Sequence, residues 1–125
     1  MESAAVPRDH FKACVLVVLL EAPAHGYDLP VLLAPLGLGH ADRGFVYRAL
    51  RSMEGEGLVT SAWDPSPSGP ARRTYRVTAA GAAWAAAATP TLREADQHMA
   101  RWLARYRQLV RAGGPQAVTG VPAAS

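Results

Sequence analysis

Gly44, Tyr47, Arg48 and Arg51 fall on one side of a helical repeat, and their combined chemistry is that of nucleic-acid contact. A guanidinium forks onto guanine O6 and N7 or onto a phosphate, a phenol donates to a phosphate, and a glycine lets backbone approach closely. Arg43 stands at the start of the same stretch, and Arg72 and Arg73 follow a loop further along the chain. Of the 13 basic residues 12 are arginine, the cation whose planar fork suits both targets. A GC-rich coding genome would also produce this arginine excess and the 25 alanines beside it, and two arginines on a helix can be an ordinary solvated face. Their placement, not their number, therefore carries the argument.

Catalytic constellations are missing. His10, His25, His40 and His98 are scattered, Cys14 is the only cysteine, and no pair has a metal-ligand spacing. There is no nucleophile elbow, phosphate-cradling glycine loop or carboxylate pair, so neither an enzyme nor a cofactor site is expected. Ser66-Pro67-Ser68-Gly69 reads as a loop between strands.

The chain is 125 residues, half of them apolar and 18% charged, with net charge +3, which is enough for one domain with a real core. The longest apolar run, Ala13 to Leu20, is far short of the roughly 20 residues that span a bilayer. A lone cysteine permits no intrachain disulfide, and a cytoplasmic location fits. A first helix is expected from about Asp9, as cap, to Glu21. It is apolar around its whole circumference, so Leu16 and Leu20 are read as facing a second copy of the chain. The segment from His25 to Leu36 reads as a short helix, bent or delayed by Pro30 and ended by Pro35 and Gly37. A third helix starts at an Asp42 cap, points Val46, Leu50 and Met53 at the core, and ends at a left-handed Gly57.

Leu58 to Trp63 and Arg73 to Thr78 alternate as two strands of a hairpin, with Arg72 and Arg73 at the loop exit. The order helix, helix, helix, hairpin describes a winged helix-turn-helix, in which the wing reaches DNA beside the recognition helix. The fold class expected is mainly α with a small β-hairpin, and a C-terminal dimerisation helix follows. The expected division is a flexible start (1–8), a DNA-binding domain (9–78), a helical dimerisation region (79–111) and a disordered tail (112–125).

Over residues 13 to 82 the sequence resembles the PadR family of transcriptional regulators. The resemblance rests on Leu19-Leu20, His25-Gly26-Tyr27-Asp28-Leu29, Gly44-Phe45-Val46-Tyr47, Leu50, Met53-Glu54, Gly57-Leu58-Val59, Trp63, Arg73 to Thr78, and Gly81. It implies a dimeric winged-helix repressor paired through its C-terminal helices, with Tyr47 at the DNA backbone, Arg48 and Arg51 on the groove face, and Arg72 and Arg73 in the wing. Two departures stand out. Phe45 replaces the small hydroxyl residue of many relatives, and the second helix carries prolines at 30 and 35.

Beyond a cap at Thr78 the alanine-rich stretch around Trp84 is helical, and Pro90 either kinks it or separates a second helix beginning at the Thr91–Glu94 capping box. There Leu92, Ala95, Met99, Trp102, Tyr106 and Leu109 fall at heptad spacing, widened by Leu103 and Val110. This seam predicts pairing of two chains. Some members of the resembled family take flat aromatic compounds between these helices, and Met99, Trp102 and Tyr106 could line such an effector site or simply fill the dimer core.

The function expected is a homodimeric repressor that binds double-stranded operator DNA, with a small aromatic effector as the candidate releasing ligand and no membrane partner. The competing reading is a winged helix used as a protein interaction or architectural module. Charge on both helix and wing favours the first: residues 1–38 carry net −2, residues 39–78 net +2 and residues 79–125 net +3.

Overall fold

The computed structural model describes residues 9–39, 41–65 and 72–114. The described residues divide into two compact units, one ending at Pro90 and one beginning at Thr91. The expected flexible start, residues 115–125 of the expected tail and the centre of the wing loop lie outside the described residues.

The first unit opens with α1 (His10–Glu21), continues through β1 (Ala24–His25), α2 (Leu29–Leu33) and α3 (Arg43–Gly55), and closes its sheet with β2 (Val59–Asp64) and β3 (Arg72–Val77). Helix α4 (Ala79–Arg111) follows. The result is a mainly helical winged helix with a small sheet and a C-terminal helix.

Helix α1 starts without the side-chain cap expected of Asp9. The Asp9 carboxylate lies 4.0 Å from Lys12 Nζ, while its backbone carbonyl accepts the Ala13 N–H at 3.0 Å. Cys14, Val15, Leu16, Val18 and Leu19 of α1 are buried with Leu29, Leu33, Val46, Leu50, Met53, Leu58, Val59 and Tyr75 in one core. Leu16, expected on a pairing surface, is 0% exposed there and fills the chain's own core, whereas Leu20 is 48% exposed. An all-round apolar helix does not reveal from sequence which of its sides is covered internally. Burial pushes the Cys14 thiol up, as befits a side chain acting as a small hydrophobe.

Helix α2 is a five-residue turn flanked by 3₁₀ segments at Gly26–Asp28 and Ala34–Leu36. The two prolines sit in the first turns of α2 and of the second 3₁₀ segment, where a missing N–H costs little. Helix α3 begins as expected, with Asp42 Oδ1 accepting from the Phe45 N–H at 2.7 Å. Its end is a Schellman closure: Leu58 N–H reaches Met53 O and Gly57 N–H reaches Glu54 O, both at 3.0 Å, around Gly57 at φ 81°.

The sheet has the order β1-β3-β2, all antiparallel. The hairpin register pairs Trp63 with Arg73, Ser61 with Tyr75 and Val59 with Val77. These pairs share one face of the ribbon, since directly opposed residues point the same way. The third strand, Ala24–His25 paired with Thr74 and Tyr75, is too short for alternation to disclose. Thr78 caps α4 by accepting the Gly81 N–H at 3.0 Å, and its hydroxyl donates to Gly57 O at 2.6 Å. Trp84 and Ala85 of α4 pack on the winged-helix core. The helix runs through Pro90, and just before it Thr89 Oγ1 donates back to the Ala85 carbonyl at 3.1 Å.

Candidate nucleic-acid interface

Helix α3 separates its two faces cleanly. Val46, Leu50 and Met53 are buried, while Gly44, Tyr47, Arg48 and Arg51 are exposed on the other side. A Cβ on Gly44 would come within 3.3 Å of an Arg48 guanidinium nitrogen, so the missing side chain leaves room for that group. Gly26 lies buried beneath the face, where a Cβ would stand 3.0 Å from Tyr47 Cε1 and 3.1 Å from Tyr75 Cε2. The bare backbone at this point lets both rings close over the 3₁₀ turn that precedes α2, which fixes Tyr47 at the edge of the basic face.

The basic side chains are held in unequal ways. Arg43 donates to the Tyr27 carbonyl at 2.5 Å and its guanidinium carbon lies 3.8 Å from the centre of the Tyr27 ring. Such stacking restrains the cation while leaving its outer edge open. Arg73 is half-buried, donates to Ser61 Oγ at 2.6 Å and lies 4.5 Å from the Trp63 ring centre. Arg48, Arg51 and Arg72 are exposed, and no arginine forms an ion pair with a carboxylate among the described residues.

Between α3 and the sheet is a cleft of about 720 Å³ whose walls include Tyr27, Tyr47, Arg51, Trp63, Arg72 and Arg73. Aromatic faces alternating with guanidinium groups suit a polyanionic backbone with flat attached rings better than an uncharged partner. Burial pushes the Tyr75 phenol at the cleft base up from its ordinary value, although the nearby Arg73 charge pulls the other way. The side chain thus stays neutral as part of the core.

Phe45 is 45% exposed and meets the edge of Phe11, with ring centres 4.9 Å apart and planes at 68°. It therefore ties the start of α3 to α1 in place of the hydroxyl contact that a smaller residue would provide. Sequence reasoning also passed over Ser61 and Tyr27, because the partners that give them a role lie 7 and 12 residues away for Ser61 and 16 for Tyr27. Among the described residues no three His, Cys, Asp or Glu side chains converge as metal ligands, and no helix is long and apolar enough to cross a membrane.

On the second unit, Trp102 and Tyr106 stack with ring centres 5.2 Å apart and planes at 4°. Trp102 is 62% exposed, and Met99, Leu103, Leu109 and Val110 are exposed beside it. Leu92 and Tyr106 are half-buried. Ala95 is 3% exposed.

A winged helix with a basic recognition face is the architecture of a DNA-linked regulator. The model of the transcriptional regulator PadR-like family matches residues 15–87, and the chain belongs to that family. Solved structures of the same fold include a PadR family regulator from Eggerthella lenta, 28% identical over 77% of this chain and 80% of that one, with a TM-score of 0.61. A PadR family regulator from Clostridium difficile is 21% identical over 75% of this chain and 98% of its own, with a TM-score of 0.61. PadR of Bacillus subtilis, solved in complex with operator DNA, is 22% identical over 60% of this chain and 44% of its own, with a TM-score of 0.54. No curated protein sequence matches the chain significantly.

Proposed function

We propose that this PadR family regulator is a homodimeric repressor that binds a near-palindromic operator, with α3 in the major groove and the β2–β3 wing beside it. The observation that carries the reading is the aromatic cleft walled by Arg51 of α3 and Arg72 of the wing, with Arg43 stacked on the Tyr27 wall and Arg48 exposed on the same helix. A protein interaction module has no need for cations on both helix and wing. The likeness in fold to a PadR seen with operator DNA supports the same reading.

In this reading the exposed stripe of Met99, Trp102, Leu103 and Leu109, with Leu20 of α1, pairs with a second copy, and half-sites lie about one helical turn apart. The parallel Trp102–Tyr106 stack is also where a planar aromatic effector would insert and favour a dimer geometry that no longer matches the operator. Saturable quenching of tryptophan fluorescence by planar aromatic compounds supports that site, and its absence assigns the stack to the dimer core alone.

The main test is a mobility-shift titration against the DNA upstream of the protein's own gene at several salt concentrations. The expected result is sequence-specific binding whose logarithm falls linearly with the logarithm of salt. Binding without any sequence preference would favour an architectural role.

A further inference from the structure

Glu54 is out of place on a surface meant for phosphates. It stands in the last turn of α3, half-buried, on the wall of the basic cleft. A carboxylate there repels the DNA backbone, so its presence calls for a compensating task. The geometry supplies one. Ser61 Oγ on β2 donates its only proton to Glu54 Oε2 at 2.8 Å and is left with a lone pair, which accepts from Arg73 Nη1 on β3 at 2.6 Å. The Arg73 guanidinium is at the same time seated on Trp63, its direct partner in the hairpin register. One hydroxyl thus joins the recognition helix, the first wing strand and the second, with charge at both ends of the chain of bonds.

We propose that Glu54 and Ser61 are positioning residues for DNA binding, which hold Arg73 and Trp63 so that the wing keeps a fixed placement against α3, and that Arg73 is a strut and not a phosphate contact. The inference rests on the operator-binding reading above. It differs from a simple count of charges in the sign of its central consequence. Removing a negative charge from a DNA-facing surface strengthens binding if the charge acts only through its field; removing this one weakens specific binding, because the wing loses its anchor.

The experiment uses the full chain and its operator fragment. Glu54→Gln, which removes the charge from the bond, and Ser61→Ala, which removes the bond, are each expected to lower specific affinity by about tenfold, the scale of a charge-assisted hydrogen bond, while non-specific affinity stays unchanged in Ser61→Ala and does not fall in Glu54→Gln. Ser61→Thr keeps the hydroxyl and is expected to restore binding. Arg73→Gln is expected to lower affinity without changing the salt slope, whereas Arg72→Gln lowers the slope by about 1. Specific binding by Glu54→Gln or Ser61→Ala as tight as that of the parent or tighter, or a slope reduced by Arg73→Gln, overturns the proposal.

A readout without DNA keeps the two readings apart. In the free protein the Arg73 Nε–H signal, assigned by its loss in Arg73→Lys, is expected to be shifted upfield by the Trp63 ring. That shift persists in Ser61→Thr and collapses in Ser61→Ala. A signal unmoved by Ser61→Ala overturns the strut, whatever the parent does with DNA. A parent that binds no operator overturns the reading on which the inference rests, even where the signal behaves as expected.

Discussion

Helix α3 with its hairpin and the stretch of α4 beyond Pro90 are both rich in arginine, but they surround it differently. In the first region Arg43 lies on Tyr27 and Arg73 on Trp63 and Ser61, and the apolar half of α3 is spent on the core. In the second, Arg93, Arg101, Arg105, Arg107 and Arg111 are exposed without an aromatic seat among the described residues, and it is the apolar side chains that stand open. A helix gains most of its stability by packing its apolar face. One region therefore packs its apolar face within a single chain and holds its cations against aromatic rings; the other leaves Met99, Trp102, Leu103, Leu109 and Val110 exposed, the surface that the proposed dimer would use. Arginine content alone would have treated them as equals.

The largest effect should come from attacking the completeness of the first region. Leu50→Ala is expected to cost about 3 kcal/mol of unfolding free energy by chemical denaturation, since it opens a cavity at a fully buried position. Leu109→Ala, measured at concentrations where the chain is monomeric, should stay within about 0.5 kcal/mol. Equal losses at the two positions would abolish the contrast.

Next in size is Trp102→Ala, which should raise the dimer dissociation constant by about thirtyfold in sedimentation experiments, as for an aromatic interface anchor. Unchanged association would remove Trp102 from the seam. Arg48→Ala and Arg51→Ala should each cost about 1.5 kcal/mol of operator affinity and relax the preferred base, while Arg72→Ala should weaken binding evenly across sequences. A mobility-shift series on single-base variants of the operator separates these outcomes. Smallest of all, Arg101→Gln with Arg105→Gln should leave operator affinity within about 0.5 kcal/mol. A loss comparable to that of Arg48→Ala would extend the DNA surface onto α4 and erase the distinction between the two arginine sets.

Periodicity and punctuation made much of this legible before any coordinates. The stripe of Val46, Leu50 and Met53, the caps at Asp42 and Thr78, the left-handed Gly57 and the two hairpin strands all express local rules and all appear. What stayed hidden depends on contacts between distant parts of the chain. The short strand Ala24–His25 exists only because β3 is there to pair with it. Asp9 gives up a cap that its residue type favours. Leu16 turned inward while Val17 and Leu20 did not, and nothing in an all-apolar helix marks which positions the core covers. Helix spacing was enough to put Gly44, Tyr47, Arg48 and Arg51 on one exposed face of α3, but no spacing rule joins Glu54 to Ser61 and Arg73.

Lys12 is the only lysine of the chain, and it is already engaged, with Nζ 2.9 Å from Glu56 Oε1 and 5.3 Å from the centre of the Trp84 ring. Every cation on α3 and the hairpin is consequently a guanidinium, which keeps its proton throughout the physiological range and offers no amine to an acetyl donor. The positive charge of that face is beyond the reach of lysine acetylation, the modification that silences many basic surfaces. The same arithmetic gives the experimenter a handle: an amine-reactive dye can attach to a side chain only at Lys12, and leaves the proposed DNA face chemically untouched.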